Sequence, residues 1–201
     1  MRVVVAPGQG SQKPGFLTAW LDNPETRRMV AGWSDAIGVD LITHGTTSDA
    51  ETIRDTRIAQ PLIVAAGLIA GRALQATLTE QPHYAGHSVG EFTAAALAGI
   101  FNDVEALQLV ATRGAAMAKA AALSPTGMSA VVGADLHPLA AVFTQRGVTA
   151  ANVNSSTQVV VAGDLDALNR LRDNPPEGTR VIPLEVAGAF HTAFMQSAQP
   201  A

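Results

Sequence analysis

A serine lies between two glycines in the stretch Gly86-His87-Ser88-Val89-Gly90. This spacing fits G-x-S-x-G, the pattern of a nucleophile elbow, in which a sharp strand-to-helix turn exposes a serine hydroxyl. Glycine has no Cβ, so Gly86 and Gly90 allow the close backbone approach that such a turn needs. The turn would also direct the Val89 amide and the positive end of the next helix toward a reacting carbonyl oxygen. The pattern therefore predicts nucleophilic catalysis by Ser88.

The same serine also fits a purely structural role. Ser88-Val89-Gly90-Glu91 has the S-x-x-E spacing of a capping box, and it precedes the apolar run 92–97. In that case the Ser88 hydroxyl would only cap a helix. The serine motif alone does not separate the two interpretations, so other parts of the sequence have to do so.

The composition limits the possible classes of protein. The chain has 201 residues, 47% hydrophobic and 15% charged, which describes a globular protein with one core and room for a small second domain. A net charge of −4 and an aromatic content of 4% argue against a nucleic-acid-binding protein. The sequence has no cysteine, which excludes disulfides, thiolate metal sites and a cysteine nucleophile and fits a reducing compartment. With no apolar stretch of about 18 residues and no signal-peptide pattern, we expect a cytoplasmic protein without membrane contact.

The first part of the chain has the pattern of an α/β core. Val3–Ala6 is predicted as a short strand, followed by a turn over 7–12, and a second strand is expected just before Ser88. Pro61 suits the first turn of a long apolar helix. The predicted helices cover 17–37 with a break near Pro24, 59–78, 89–98 and 102–122.

Beyond Ser124-Pro125-Thr126-Gly127 the pattern changes to short strands and helices. Their order is β-α-β-β-α-β, the order of a ferredoxin-like unit. The predicted strands cover 128–132, 149–153, 158–162 and 180–184, and the helices 136–145 and 164–173. We therefore predict an α/β-hydrolase-like catalytic core with a parallel sheet and a nucleophile elbow at 1–125. A ferredoxin-like subdomain is inserted at 126–186, and the chain returns to the core at 187–201.

Four short motifs occur along the chain in a fixed order. They are Pro7-Gly8-Gln9-Gly10-Ser11-Gln12, Gly86-His87-Ser88-Val89-Gly90-Glu91, Thr112-Arg113-Gly114 and Gly188-Ala189-Phe190-His191. Together they resemble the malonyl-CoA:acyl carrier protein transacylases of fatty acid synthesis and the acyltransferase domains of polyketide synthases. The likeness covers the whole chain. It implies ping-pong transfer of malonyl from coenzyme A to the phosphopantetheine thiol of acyl carrier protein, by a monomer that needs no other cofactor.

The resemblance also implies roles for individual residues. Ser88 attacks the malonyl thioester, and His191 takes the serine proton and later activates the acceptor thiol, since serine is a weak nucleophile until a base removes its proton. The backbone amides of Gln9 and Val89 form the oxyanion hole. Family members continue well past this histidine, so the resemblance implies that the C-terminal part of the core, with the group that orients His191, lies outside this chain.

Arg113 is the residue expected to recognise the acyl group. Val110, Arg113 and Met117 are spaced to share one helical face, so the charge of Arg113 lies among apolar neighbours and needs a partner. An internal ion pair with Asp or Glu would supply one. The family instead implies a bidentate grip on the malonyl carboxylate. The residue before the histidine, Phe190, resembles the malonyl-selecting form of its motif. The expected substrate-binding residues are Arg113, Met117, Phe190, His87, Gln60 and Asn154.

The same residues leave two alternative functions open, and two of the histidines raise the question of a metal site. His83 and His87 are four residues apart, but the glycine turn between them interrupts the helix that such metal spacing needs, so we expect no metal. A serine esterase or thioesterase would use the same elbow, and several aspartates lie between Ser88 and His191, in the chain order of that triad. An inactive, truncated fragment of the transacylase is the remaining alternative.

Overall fold

The computed structural model describes residues 1–133, 135–136 and 139–199. Internal contacts divide the chain into two compact units, Met1–Ala115 and Ala116–Ala201. The longest helix of the second half of the sequence, Asp103–Ala121, contributes residues to both units. The limits at 125 and 186 expected from the sequence stay predictions.

The first unit contains two strands and six helices, counted over the part of the chain that the structure describes. The strands are parallel, with Val3 opposite His83 and Ala6 opposite Gly86. Both strands therefore end at the same edge, where the segments that follow them meet. The elements are β1 (Val3–Ala6), α1 (Thr18–Leu21), α2 (Pro24–Ile37), α3 (Leu41–Thr46), a 3₁₀ turn (Thr52–Arg54), α4 (Thr56–Gln75), β2 (His83–Gly86), α5 (Gly90–Leu97) and α6 (Asp103–Ala121).

Helix α4 forms the centre of this unit. Leu62, Val64 and Leu68 are fully buried, and Gly71 lets α5 approach closely, since a Cβ there would lie 2.4 Å from Cδ1 of Leu97. By length and composition α4 is also long and apolar enough to cross a membrane, and 56% of its most apolar window is buried inside the protein. Burial of this kind is typical of the core helix of a globular unit.

Capping side chains explain where helices α2 and α4 begin. The break expected near Pro24 is present, because Asn23 caps α2 and Pro24 occupies its first turn. The predicted start of α4 was wrong. The Asp55 carboxylate accepts a hydrogen bond from the Arg57 amide, so the helix begins at Thr56 and Pro61 lies inside it.

The second unit is built on an antiparallel sheet of four strands, in the order β4 (Val148–Ser155), β5 (Gln158–Asp164), β3 (Thr126–Gly133) and β6 (Thr179–Pro183). Val131, Phe143, Val161 and Leu171 form part of its buried core. The strand limits agree with the sequence prediction to within two residues. The elements are β3 (Thr126–Gly133), α7 (Ala140–Gln145), β4 (Val148–Ser155), β5 (Gln158–Asp164), α8 (Leu165–Asp173), β6 (Thr179–Pro183) and a 3₁₀ helix (Ala193–Ala198).

The one clear difference in the second unit concerns α7. It begins at Ala140 and not at 136, and residues 137 and 138 of the predicted helix lie outside the described residues. The chain as a whole is an α/β fold, with a parallel strand pair in one unit and an antiparallel sheet in the other.

Candidate active site

Ser88 lies in a tight turn between β2 and α5. Its φ is 54°, and His191 is the only other non-glycine residue in the described ranges with a positive φ. Such a conformation is strained for a residue with a side chain, and strained residues are concentrated at functional sites. Val89 occupies the N-cap position of α5. Ser88 therefore does not occupy the N-cap position of α5, which the capping-box interpretation requires.

The two glycines of the motif are needed because other backbone atoms lie against them. A Cβ on Gly86 would be 2.3 Å from the Glu91 nitrogen, and a Cβ on Gly90 would be 2.3 Å from the Ala6 oxygen. Contacts of that length are impossible without moving the backbone. The glycines thus allow the end of β1, the turn and the start of α5 to pack together around Ser88.

Arg113 on α6 reaches the serine from another element. Its Nη2 donates to the Ser88 Oγ at 3.3 Å, and its Nη1 donates to Oε1 of Gln60 on α4 at 2.7 Å. Gln60 is 1% exposed, so its side chain is fixed by its surroundings. One amide of the core therefore orients the guanidinium beside the serine.

The electrostatics of Arg113 follow from its half-buried position. Burial lowers the pKa of its guanidinium, and the charge of Glu91 acts in the opposite direction. An arginine still remains charged at every physiological pH. An internal ion pair would require a carboxylate partner, but these two hydrogen bonds of Arg113 go to the Gln60 amide and the Ser88 hydroxyl. The positively charged guanidinium beside Ser88 is thus held by neutral hydrogen-bonding groups.

Gln9 joins this network from the loop after β1. Its Nε2 donates to the Oγ1 of Thr56 at 3.3 Å, and its Oε1 accepts from Nε2 of Gln60 at 3.4 Å. Within the described part of the chain, no protein acceptor is found for the backbone N–H of Gln9 or of Val89. The first unit therefore brings together four of the expected site residues, Ser88, Arg113, Gln60 and Gln9.

His87 is an exposed residue that packs against the loop after β1. A Cβ on Gly8 would lie 2.6 Å from its Nδ1, so the absence of a side chain at Gly8 makes room for the imidazole. Within the described ranges no group of three or more His, Asp or Glu side chains is arranged to hold a metal ion.

The other expected site residues belong to the second unit. Met117 and Phe190 are 7% and 5% exposed and belong to one hydrophobic cluster. The Ala189 amide donates to Oγ1 of Thr126 at 3.1 Å, which fixes the segment that ends in His191. The backbone of His191 has a φ of 60°. Asn154, by contrast, is exposed on β4 and donates to Oε1 of Gln158 at 3.0 Å.

Two residues of the first-unit network were given no role by the sequence analysis. Thr56 is 1% exposed and binds the Gln9 side chain, and Gln12 contacts both its own loop and the carbonyl of Ile53. Gln12 belongs to a motif that the sequence analysis used, so the motif could have identified it. Its partner 41 residues away could not be predicted from spacing.

Comparison with known proteins places the chain among acyl transferases. A sequence profile of the family described as "Acyl transferase domain" matches residues 3–201. A malonyl CoA-acyl carrier protein transacylase from Mycobacterium tuberculosis is 48% identical over 201 residues, which are 98% of this chain and 67% of the relative.

Solved structures give the same result. A crystal structure described as MCAT from Mycobacterium tuberculosis superposes with a TM-score of 0.95 at 47% identity, covering 100% of this chain and 67% of that one. A second similar structure is a malonyl-transacylase in complex with its type II PKS acyl-carrier protein, with a TM-score of 0.87 at 32% identity. That match covers 98% of this chain and 67% of that one. The chain thus spans about two thirds of the length of the relatives that it matches.

Proposed function

Because this chain belongs to the acyl transferase domain family, we propose that it transfers malonyl from malonyl-CoA to the phosphopantetheine thiol of acyl carrier protein. The observation that carries this proposal is the contact of Arg113 with Ser88, at 3.3 Å. A fixed positive charge beside a serine in a strained turn suits an acyl group that ends in a carboxylate. The chemistry would proceed in two half-reactions through an acyl-serine.

In the first half-reaction the Ser88 Oγ forms a bond with the malonyl carbonyl carbon. We propose that His191 accepts the serine proton and then passes it to the sulfur of coenzyme A as the thioester bond breaks. In the second half-reaction His191 takes the proton of the phosphopantetheine thiol, and the thiolate attacks the serine ester. The proton returns to Ser88 Oγ as the ester breaks, so the enzyme ends in its starting state.

Each tetrahedral intermediate carries a negative oxygen, which needs hydrogen-bond donors. The Gln9 and Val89 amides are the proposed donors. Two observations support this assignment. Both amides lie at the edge where β1 and β2 end, and neither donates to a protein acceptor in the described ranges. Two preorganised amides are what acyl transfer requires.

Selection of the acyl group is assigned to Arg113 and its neighbours. The guanidinium would bind the malonyl carboxylate through two parallel hydrogen bonds, and the Gln60 amide would hold it in place. Met117 and Phe190 would limit the space around the acyl chain, supported by their burial in one cluster. His87 and Asn154 complete the proposed substrate-binding set, His87 by its contact with the Gly8 loop and Asn154 only by the family resemblance.

The fold supports two more specific assignments. The positive φ of Ser88 between β2 and α5 supports a nucleophile elbow in an α/β-hydrolase-like unit. The strand order β4-β5-β3-β6, with the element order β-α-β-β-α-β, supports a ferredoxin-like subdomain. We further propose that the protein acts as a monomer in the cytoplasm, in fatty acid or polyketide synthesis.

Intact-protein mass spectrometry after mixing with malonyl-CoA tests the proposal. We expect a malonyl adduct on Ser88 that disappears when a carrier protein with a free phosphopantetheine thiol is added, with malonyl found on the carrier. Malonate released into water at the same rate without the carrier would instead identify a thioesterase. A folded chain that is never acylated would identify the inactive-fragment alternative.

A further inference from the structure

Gln12 links the loop after β1 to a distant segment of the first unit. Its Oε1 accepts a hydrogen bond from the Gly10 amide at 2.8 Å, and its Nε2 donates to the Ile53 carbonyl at 3.2 Å. Ile53 is 2% exposed and belongs to the hydrophobic core of the unit. A single amide side chain thus closes the loop on itself and attaches it to the 3₁₀ turn Thr52–Arg54, which holds the buried Ile53.

The loop needs such support, because it is rich in glycine and has an unusual backbone. Gly10 has a φ of 104°, a conformation open mainly to glycine. Ser11 adds a local contact, from its Oγ to the Gly8 carbonyl at 2.9 Å. Gln9 lies between these fixed points, so the direction of its N–H depends on how the loop is held.

The long-range contacts of this loop converge on one segment. Gln12 reaches Ile53, the Gln9 side chain reaches Thr56, and Gln60 donates back to Gln9. The Ile53 contact of Gln12 is 3.2 Å long, and the two Gln9 contacts are 3.3 and 3.4 Å long. The three contacts are similar in length, but only that of Gln12 comes from a residue to which the proposed function gives no role.

We propose that Gln12 is a positioning residue for acyl transfer: by attaching the loop to Ile53, it holds the Gln9 N–H where the oxyanion forms. This inference rests on the proposed function. Removing one oxyanion donor lowers kcat by about 10²- to 10³-fold in enzymes of this chemistry. A donor that is displaced and not lost should have a smaller effect, about 10- to 100-fold.

Two variants separate the two hydrogen bonds of Gln12. Gln12→Leu removes both, whereas Gln12→Glu keeps an acceptor for the Gly10 amide and loses the donor to Ile53. Gln145→Leu is the matched control, because Gln145 is exposed on α7 in the other unit. We expect both Gln12 variants to slow single-turnover acylation of Ser88 by about 10- to 100-fold, and the control to acylate at the wild-type rate.

The acyl group distinguishes a displaced oxyanion donor from a damaged carboxylate site. An oxyanion forms with every thioester, so Gln12→Leu should slow acylation by malonyl-CoA and acetyl-CoA in the same proportion, with KM nearly unchanged. A loss confined to malonyl-CoA, or one that merely follows the folded fraction measured by circular dichroism, would overturn the inference. So would a Gln12→Glu variant that acylates as fast as wild type.

Amide exchange tests the geometry without any turnover. The Gly10 N–H should exchange slowly in wild type and in Gln12→Glu and fast in Gln12→Leu, measured by NMR. Equal exchange in all three proteins would overturn the role of Gln12. A wild-type protein that is not acylated at all would refute the proposed function, whereas an acylated wild type with unaffected Gln12 variants would refute only the role of Gln12.

Discussion

The Nη2 of Arg113 lies 3.3 Å from the Oγ of Ser88. The same guanidinium is held through Nη1 by Gln60. The guanidinium has five N–H donors, and these two contacts use two of them. A malonyl carboxylate can therefore bind two of the remaining N–H groups while Gln60 keeps the guanidinium in place beside Ser88.

Arg113→Ala should change which acyl group the protein prefers. Loss of one partner from a desolvated charge pair costs about 2–5 kcal/mol, or about 30- to 3,000-fold in kcat/KM for malonyl-CoA. Acetyl-CoA has no carboxylate and should lose little. The measurement is the ratio of the two kcat/KM values in wild type and variant. An unchanged ratio would show that Arg113 does not recognise the acyl group.

Arg113→Lys examines the geometry of the same contact. Lysine keeps the charge but has no planar fork, so it should restore only part of the malonyl preference. The preference is measured as the same ratio of kcat/KM values. Full recovery would show that charge alone is sufficient.

Ser88→Ala should abolish the malonyl adduct and lower kcat by about 10⁴-fold or more, as removal of a nucleophile does in other serine enzymes. The adduct is followed by intact mass. Because Ser88 is not the N-cap of α5, thermal unfolding should show a stability within about 0.5 kcal/mol of wild type. An alanine variant that still forms a covalent acyl-enzyme would remove Ser88 from the mechanism.

His191→Ala should slow acylation by about 10²- to 10⁴-fold, the contribution usual for a general base. The wild-type rate should also fall at acid pH, because a protonated imidazole cannot accept the serine proton. Stopped-flow release of coenzyme A between neutral and acid pH measures both effects. Rates independent of pH and of the substitution would assign the base to another group.

Asp55 should stabilise the first unit through the start of α4. Hydrogen bonding from Arg57 lowers the pKa of Asp55, with smaller contributions from the Arg57 amide and charge. Asp55→Ala should lower the free energy of unfolding by about 1 kcal/mol at neutral pH, whereas Asp55→Asn keeps the cap and should lose less. Urea unfolding at several pH values measures the difference between the variants.

The pH dependence of the Asp55 contribution has a defined sign. The folded pKa lies below the unfolded value, so the contribution of the ionised carboxylate is complete above about pH 4, the range of a free aspartate. It is lost as the pH falls through the folded pKa. The stability difference between wild type and Asp55→Asn should therefore be constant near neutral pH and vanish in strong acid. A difference that grew with acid would contradict the assignment.

Thr93→Val should stabilise the protein. The Thr93 Oγ1 is buried, and no hydrogen-bond partner is found for it among the described residues. Valine has the same shape without the hydroxyl, so the free energy of unfolding should rise by about 1 kcal/mol. Thr126→Val is the matched control, since Oγ1 of Thr126 accepts from the Ala189 amide and its loss should be destabilising. A stabilising Thr126→Val variant would show that buried hydroxyls are unfavourable here whatever their partners.

Local patterns predicted much of this molecule. The G-x-S-x-G spacing predicted the turn at Ser88, and the helical spacing of Val110, Arg113 and Met117 predicted an arginine among apolar neighbours. The start of α4 was predicted wrongly, because Pro61 was given more weight than the capping signal at Asp55. The family resemblance placed Arg113 and Gln60 in one site, but spacing predicted neither their direct hydrogen bond nor that of Gln12 with Ile53. Both hydrogen bonds depend on how α4, α6 and the loop after β1 pack together, which spacing along one element does not determine.

The division of the chain after Ala115 has a consequence for how new specificities could arise. Arg113, which would recognise the carboxylate, precedes the division, whereas Phe190, which would limit the size of the acyl chain, follows it. A single recombination between related genes at this point would exchange one determinant and keep the other. With the roles proposed for Arg113 and Phe190, charge preference and size preference would be inherited separately, and chimaeras joined at this position would test new combinations of the two.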